Sequence, residues 1–482
     1  MPAAEGTVDI WHAWPLTGSA AAKARSHRYL GRASWVTLSL MALLISITSE
    51  LMRPGTSRAA SPAPSMPRSQ RAVRRGGRRG ARPRQRRGRP SNPPQRERLG
   101  PDEVPMFAID PEARARRRDL LANSGPATRL LIGDAIGDAF GAIIEMQDAY
   151  WIRESVMFDS WPKNPMRRSE WNTNTACGMY TDDCEMTVGL VNGLLAHGLE
   201  ISADNMLQSW QAEWDLAKRR PRPAPPGAER HGHGSIKGYF RGFRDIDEVR
   251  RLQSSKEDPG NAPPMRALPL SFIHNNSLRE QLSVLNANCT HPHARARAAS
   301  YLIVEGARWL IVENGDRNKV IHEALSRLRN SSVSDDATEA HLQKVDELED
   351  YHEWGERFRK MPPHRLELLC GPQPCPPADG IGAGDDGSSK MHGLWSDAMR
   401  TAAVVLFLLK HHRGPLDILR ASVDIGGDVD SIAALCLGVV GGSAGLDFGE
   451  PHGLPWFLLE EVEGVEYLHA RGKKFEEWIL EQ

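Results

Sequence analysis

Cysteine is scarce. The six present, Cys177, Cys184, Cys289, Cys370, Cys375 and Cys436, match no zinc spacing and are too few for a disulfide framework in 482 residues. A reduced intracellular protein is therefore expected, and "CGPQPC", with prolines in its four-residue gap, makes a poor metal clip. Long apolar runs are scarce too. The longest near the N-terminus, "WVTLSLMALLISIT" from Trp35 to Thr48, has 14 residues where a bilayer crossing needs about twenty, so no stable membrane span is expected. Period-two alternation is almost missing, which excludes a sheet-rich fold. Acids are nearly absent from one stretch: between Arg68 and Arg98 there are thirteen arginines and one glutamate. The formal net charge of zero is thus a cancellation, and the chain after Arg98 is acidic by about fifteen charges. Such a body argues against a specific nucleic-acid partner and suits local cation binding.

Arg25, Arg28 and Arg32 precede the short apolar run, so residues 23–50 are a candidate organelle-targeting segment, with the cytoplasm as the expected compartment otherwise. The Arg/Gly/Pro run that follows cannot bury enough surface to offset its ordering entropy. Residues 1–120 are accordingly read as a disordered region and residues 121–482 as the folded domain.

From Ala127 the texture changes. "TRLLIGDAIGDAFGAIIEM" reads as a helix, with Leu130, Leu131, Ala135, Ile136, Ala139, Ile143 and Ile144 at helical spacing. Gly133, Gly137 and Gly141 fall four apart on it. Each costs about 1 kcal/mol against alanine, so three in register imply close approach by another element. Further helices are expected over 185–198, 203–218, 278–286, 294–313, 318–328, 337–359, 395–409, 415–423 and 431–440. The fold class is all-α: a compact multi-helix domain of about 350 residues rather than a four-helix bundle.

Three acidic clusters stand out at helix ends. Asp138 and Glu145 lie seven apart on the first helix; Thr181, Asp182 and Asp183 precede the next; Asp428, Asp430 and Ser431 precede the last. Each could be a cap. Asp182 with Glu185 has capping-box spacing, and Asp428 or Ser431 suits an N-terminus. A cap, however, needs one short polar side chain, whereas the second and third clusters each spend two carboxylates and a hydroxyl within four residues. A bound cation best offsets their repulsion, and oxygen-only donors indicate a hard ion such as Mg²⁺, Mn²⁺ or Ca²⁺.

Six motifs in order, "GDAFGAIIE", "YTDDCEM", "HGHGSIKGYF", "GNAPPMRALPL", "CTHPHARARAA" and "GGDVDSIAALCLGVVGG", resemble those of the ADP-ribosylglycohydrolase family, which includes ADP-ribosylarginine and ADP-ribosylserine hydrolases and J1-type crystallins. The resemblance implies an all-α fold holding two Mg²⁺ ions, with Mn²⁺ as a possible substitute. One ion would take Thr181, Asp182 and Asp183; the other would take Asp428, Asp430 and Ser431, with Asp430 bridging. Glu145 resembles the family's acid/base or metal-gating carboxylate, and Glu145, Asp182 and Asp183 are the expected catalytic set. Gly232, Gly234 and Ser235 look like the substrate loop, and His291 is expected to orient substrate or serve the fold.

The implied activity is hydrolysis of the bond between ADP-ribose and a protein side chain. The expected partner is an ADP-ribosylated protein or an ADP-ribose-containing small molecule, and a monomer is the family default. Ser431 stands where threonine is usual, and Ala262, Pro263 and Pro264 stand where glycine and small residues are usual. "CGPQPCPPADGIGAGDDGSSK" looks inserted. A catalytically inactive ADP-ribose-binding or crystallin-like protein of the same fold is the alternative. A two-metal phosphohydrolase would place histidines among the clusters, and the sequence has none there.

Overall fold

The segment "PATRLLIGDAIGDAFG" is apolar on nearly every side, and so is "VDSIAALCLGVVGGS" near the C-terminus; helices without a polar face belong in a core. They form the centre of the computed structural model, which describes residues 110–162, 177–219, 236–350, 363–371, 392–412, 414–449 and 452–482. All lie within the unit Asn92–Gln482.

In chain order the helices are α1 Pro111–Ala122, α2 Pro126–Gly141, α3 Ala149–Ser155, α4 Asp182–His197, α5 Ala203–Arg219 and α6 Lys237–Phe240. There follow α7 Ile246–Ser254, α8 Ala262–Met265, α9 Asn276–Asn288, α10 Ala294–Ile311, α11 Val320–Arg329 and α12 Asp336–Asp346. The last six are α13 Pro363–Cys370, α14 Ala398–His411, α15 Pro415–Asp424, α16 Val429–Ser443, α17 Trp456–Glu461 and α18 Val465–Leu480. Among the described residues there are isolated β-bridges and no strand, so the all-α class holds. No described helix is long and apolar enough to cross a membrane. None of the five described cysteines forms a disulfide among the described residues.

The expected glycine contact is the α2–α16 crossing. A Cβ on Gly133 would lie 2.3 Å from the Leu437 carbonyl oxygen, one on Gly137 2.1 Å from that of Ala433, and one on Gly141 2.4 Å from the Asp430 Cα. Real Cβ atoms do not approach backbone so closely, so only glycine lets these helices meet. This crossing also brings the end of α2 to the start of α16, where two of the acidic clusters lie. On the other side of α2 packs α18, with Gly472 against Thr128.

Several boundaries differ from the sequence reading. The first helix stops at Gly141 instead of running to Met146, because the chain there turns to pair with the Gly426–Gly427 loop. Met146 has φ of 59°, and its N–H donates to the Gly427 carbonyl at 2.8 Å. Glu145 therefore sits on a turn, not on the helix face that carries Asp138. The fourth and sixteenth helices begin three and two residues earlier than expected, which puts Asp182, Asp183, Asp430 and Ser431 inside first turns. The helix expected over 337–359 ends at Asp346, and its residues from 351 on lie outside the described ones.

Helix α1 falls within the region read as disordered. It has no apolar stripe, and it docks through charge: Arg117 donates to the carbonyls of Glu460 and Val462, each at 2.8 Å, and pairs with Glu466. Arg114 and Arg118 meet Glu460 and Glu461, and Arg118 lies over the Trp456 ring.

Candidate functional site

Helix α4 begins with an unusual division of labour. The first N–H groups of any helix need outside acceptors. Thr181, at the N-cap, makes no side-chain capping bond. Asp138, 43 residues earlier on α2, takes its place: its carboxylate accepts from the Thr181 N–H at 2.8 and 2.9 Å, from the Cys184 N–H at 3.0 Å and from the Thr181 hydroxyl at 2.6 Å. Helix α16 likewise has Asp428 at its N-cap without a side-chain cap bond. The capping explanation of these clusters fails on both helices.

The loop before α16 is clasped on both flanks. Gly426 and Gly427 have φ of 76° and 78°, a left-handed conformation that favours glycine. Gly427 donates to the Gln147 carbonyl at 2.9 Å, and Leu394 donates to Gly426 at 2.9 Å. The Asp428 N–H then donates to the Leu394 carbonyl at 3.0 Å. Asn261 completes the clasp: its Nδ2 donates to Asp428 Oδ2 at 2.8 Å and reaches the hydroxyls of Ser431 and Thr401 at 3.2 Å. Ser396 donates to Asn261 Oδ1 at 2.5 Å.

These supports bring two acidic triads together. One carboxylate oxygen each from Asp138, Asp183 and Asp430 lie within 4.8 Å of one another, and so do one each from Glu145, Asp428 and Asp430. Asp430 belongs to both. Asp182 is half-buried and falls in neither triad. Thr181 and Ser431 are buried beside them, each hydroxyl next to a cluster carboxylate or to the amide that holds one.

The electrostatics are those of a cage short of positive charge. Burial, reinforced by the negative charge of Asp182 and Asp138, holds the Asp183 carboxyl well above the usual range. Burial and then Glu145 do the same to Asp430. The Asp428 carboxyl is pushed up to about 6 by burial and Glu145, and that of Asp138 to about 7 by burial. Asp183 Oδ1 and Asp430 Oδ1 are buried with no hydrogen-bond partner among the described residues. A buried orphan acceptor costs about 1–3 kcal/mol. Both residues belong to one triad of oxygen-only donors, so a hard divalent cation fits the residues present.

His291 is buried, with Nδ1 2.7 Å from the Thr290 hydroxyl, and burial followed by the Arg266 charge holds its pKa well below the usual histidine value. It does not cap the helix that follows; His293 does, accepting from the Arg295 N–H at 3.1 Å. Its Nε2 would lie 3.1 Å from a Cβ at Gly260, so the ring backs the segment that carries Asn261. Gly232, Gly234 and Ser235 lie outside the described residues. The two prolines after Asn261 are tolerated because α8 begins there, at positions whose N–H groups have no helical partner.

Asn261, Ser396 and the capping role of Asp138 were not assigned from sequence. Asn261 stands inside "GNAPPMR" and Asp138 inside "GDAFGAIIE", so both were in view; nothing local marks Ser396.

No curated protein matches the chain in sequence. Among solved structures, an "ADP-ribosylglycohydrolase-related protein complex" is similar at 17% identity and a TM-score of 0.47, with 73% of this chain and 97% of that chain covered. The sequence matches the ADP-ribosylglycohydrolase family over residues 125–481, a span holding both acidic triads and the segments that clasp them, and the chain belongs to that family.

Proposed function

We propose that the protein is a Mg²⁺-dependent hydrolase that removes ADP-ribose from a protein side chain by cleaving the glycosidic bond at the anomeric carbon. Family membership supports glycosidase-type hydrolysis of an ADP-ribosylated substrate. The observation that carries the finer reading is the sharing of Asp430 between two acidic triads, buried except for the half-buried Glu145.

In this reading Thr181, Asp182 and Asp183 would hold one ion, and Asp428, Asp430 and Ser431 would hold a second. When bound, such ions supply positive charge that orients ribose hydroxyls and a water molecule. Glu145 stands on a turn beside Asp428 and Asp430, as an acid/base group next to the reacting carbon must. The carboxylates favour the positive charge that develops on the sugar as the bond to the leaving atom lengthens. Gly232, Gly234 and Ser235 are assigned to the diphosphate, where backbone N–H groups can approach it. His291, held neutral, serves to back the Asn261 segment. Replacing threonine by Ser431 keeps the hydroxyl ligand and drops only a methyl group.

The full chain given ADP-ribosylated peptide and Mg²⁺ is expected to release free ADP-ribose, and chelator should stop the release. Parallel assays with arginine-linked and serine-linked peptides identify the side chain. Binding of ADP-ribose with no release from either peptide would favour the catalytically inactive alternative.

A further inference from the structure

We infer that Asp138 is a positioning residue for the Thr181–Asp183 ion set, taking over the capping of α4 so that the oxygens of that set remain available to a cation. The inference rests on the metal-dependent reading above.

Four bonds carry it. A helix that starts with Thr-Asp-Asp has three local candidates for its first N–H groups, and threonine at the N-cap ordinarily accepts from the second or third residue of the helix. Here that third N–H, of Cys184, goes to Asp138 Oδ2 at 3.0 Å, and the Thr181 N–H goes to the same carboxylate. The Thr181 hydroxyl donates its only proton to Asp138 Oδ1 at 2.6 Å. A hydroxyl has one donor and two acceptor lone pairs, so spending the proton there leaves the lone pairs for a cation. Asp183 Oδ1, released from capping, has no partner among the described residues.

Asp138 lies close enough to Asp183 and Asp430 to be taken for a ligand itself. Its oxygens are already engaged, Oδ1 by the Thr181 N–H and hydroxyl and Oδ2 by the Thr181 and Cys184 N–H groups. It acts through Thr181. Without its carboxylate, the Thr181 hydroxyl would turn to cap Cys184 in the ordinary way and would leave the ion set.

The test is a calorimetric Mn²⁺ titration of the chelator-stripped full chain, compared across wild type, Asp138→Asn, Thr181→Val and the double variant, with helical content followed by circular dichroism. Wild type is expected to bind two equivalents. Asp138→Asn should weaken one of them by about 10–100-fold, the usual cost of losing an outer partner of a ligand, and leave the other. Thr181→Val, which keeps the bonds from Asp138 to the two N–H groups, should weaken the same equivalent. The double variant should be no worse than the more severe single, because both changes break one chain of contacts. Should Asp138→Asn fail to fold, the Thr181→Val titration decides: an unweakened equivalent overturns the inference. Wild-type affinity in Asp138→Asn, or losses that multiply in the double variant, would overturn it while leaving the metal-dependent reading standing. No binding by wild type would overturn both.

Discussion

Asp430 concentrates the cost of this site. It is buried, its carboxyl is raised first by burial and then by Glu145, Asp428 and Asp183, and one of its oxygens has no hydrogen-bond partner among the described residues. A carboxyl whose folded-state pKa lies above its unfolded value is favoured in the protonated form. The stability it contributes is complete below the unfolded value and is lost as pH rises through the folded one. For Asp138 that loss reaches about 7 and for Asp428 about 6, from an ordinary value of 3.8, and the raised carboxyls of Asp183 and Asp430 add to it in the same direction. His291 works in the opposite direction only as pH falls through the ordinary histidine value of 6.5. Chelator-treated protein should therefore lose melting temperature as pH rises from about 6.5 through about 7, and saturating Mg²⁺ should flatten that slope, because cation binding requires ionised carboxylates. A melting temperature that is flat or rising over this interval without metal would contradict the account. At this scale the acidic runs were legible, since Thr181, Asp182 and Asp183 crowd together in sequence, as do Asp428, Asp430 and Ser431; of these, Asp183, Asp428 and Asp430 meet in the triads. The parts that were not legible act at a distance. Asp138 meets the N-cap of a helix 43 positions later, and Asn261 holds Asp428 from 167 positions away.

Among the elements, the α2–α16 crossing sets where the triads meet. Replacing Gly137 by alanine offers a gain of about 1 kcal/mol in helix propensity. Against it stands a new Cβ 2.1 Å from a backbone oxygen of α16, which cannot move without dragging the helix that carries Asp430. Overpacking of this kind costs about 1–3 kcal/mol, so the clash should win. Gly137→Ala is expected to lower the denaturant midpoint, and a variant as stable as wild type would show that the helices can part without penalty. The spacing of Gly133, Gly137 and Gly141 announced the contact before any partner was known. Helix ends were less legible. The stop at Gly141 depends on the pairing of Met146 with Gly427, and α18, an amphipathic helix at the C-terminus, was not read at all.

For the whole molecule, the division between basic N-terminal region and acidic body is cruder than charge counting suggested. Helix α1 belongs to the folded unit although nothing in its hydrophobic pattern says so. Arg117, buried and bonded to two carbonyls and Glu466, holds it to the segment from Glu460 to Glu466. Periodicity detects burial of apolar surface, and a helix docked by guanidinium groups leaves no such trace. The proposed site is also a matter of whole-molecule geometry: oxygens from the turn after α2, the start of α4 and the start of α16 would surround divalent cations. Crystals of the full chain soaked in Mn²⁺ test it most directly through anomalous scattering. One peak is expected between Asp183 and Asp430 and a second between Asp428 and Asp430. A well-ordered map with no peak at either place, or with manganese bound only elsewhere, would contradict it.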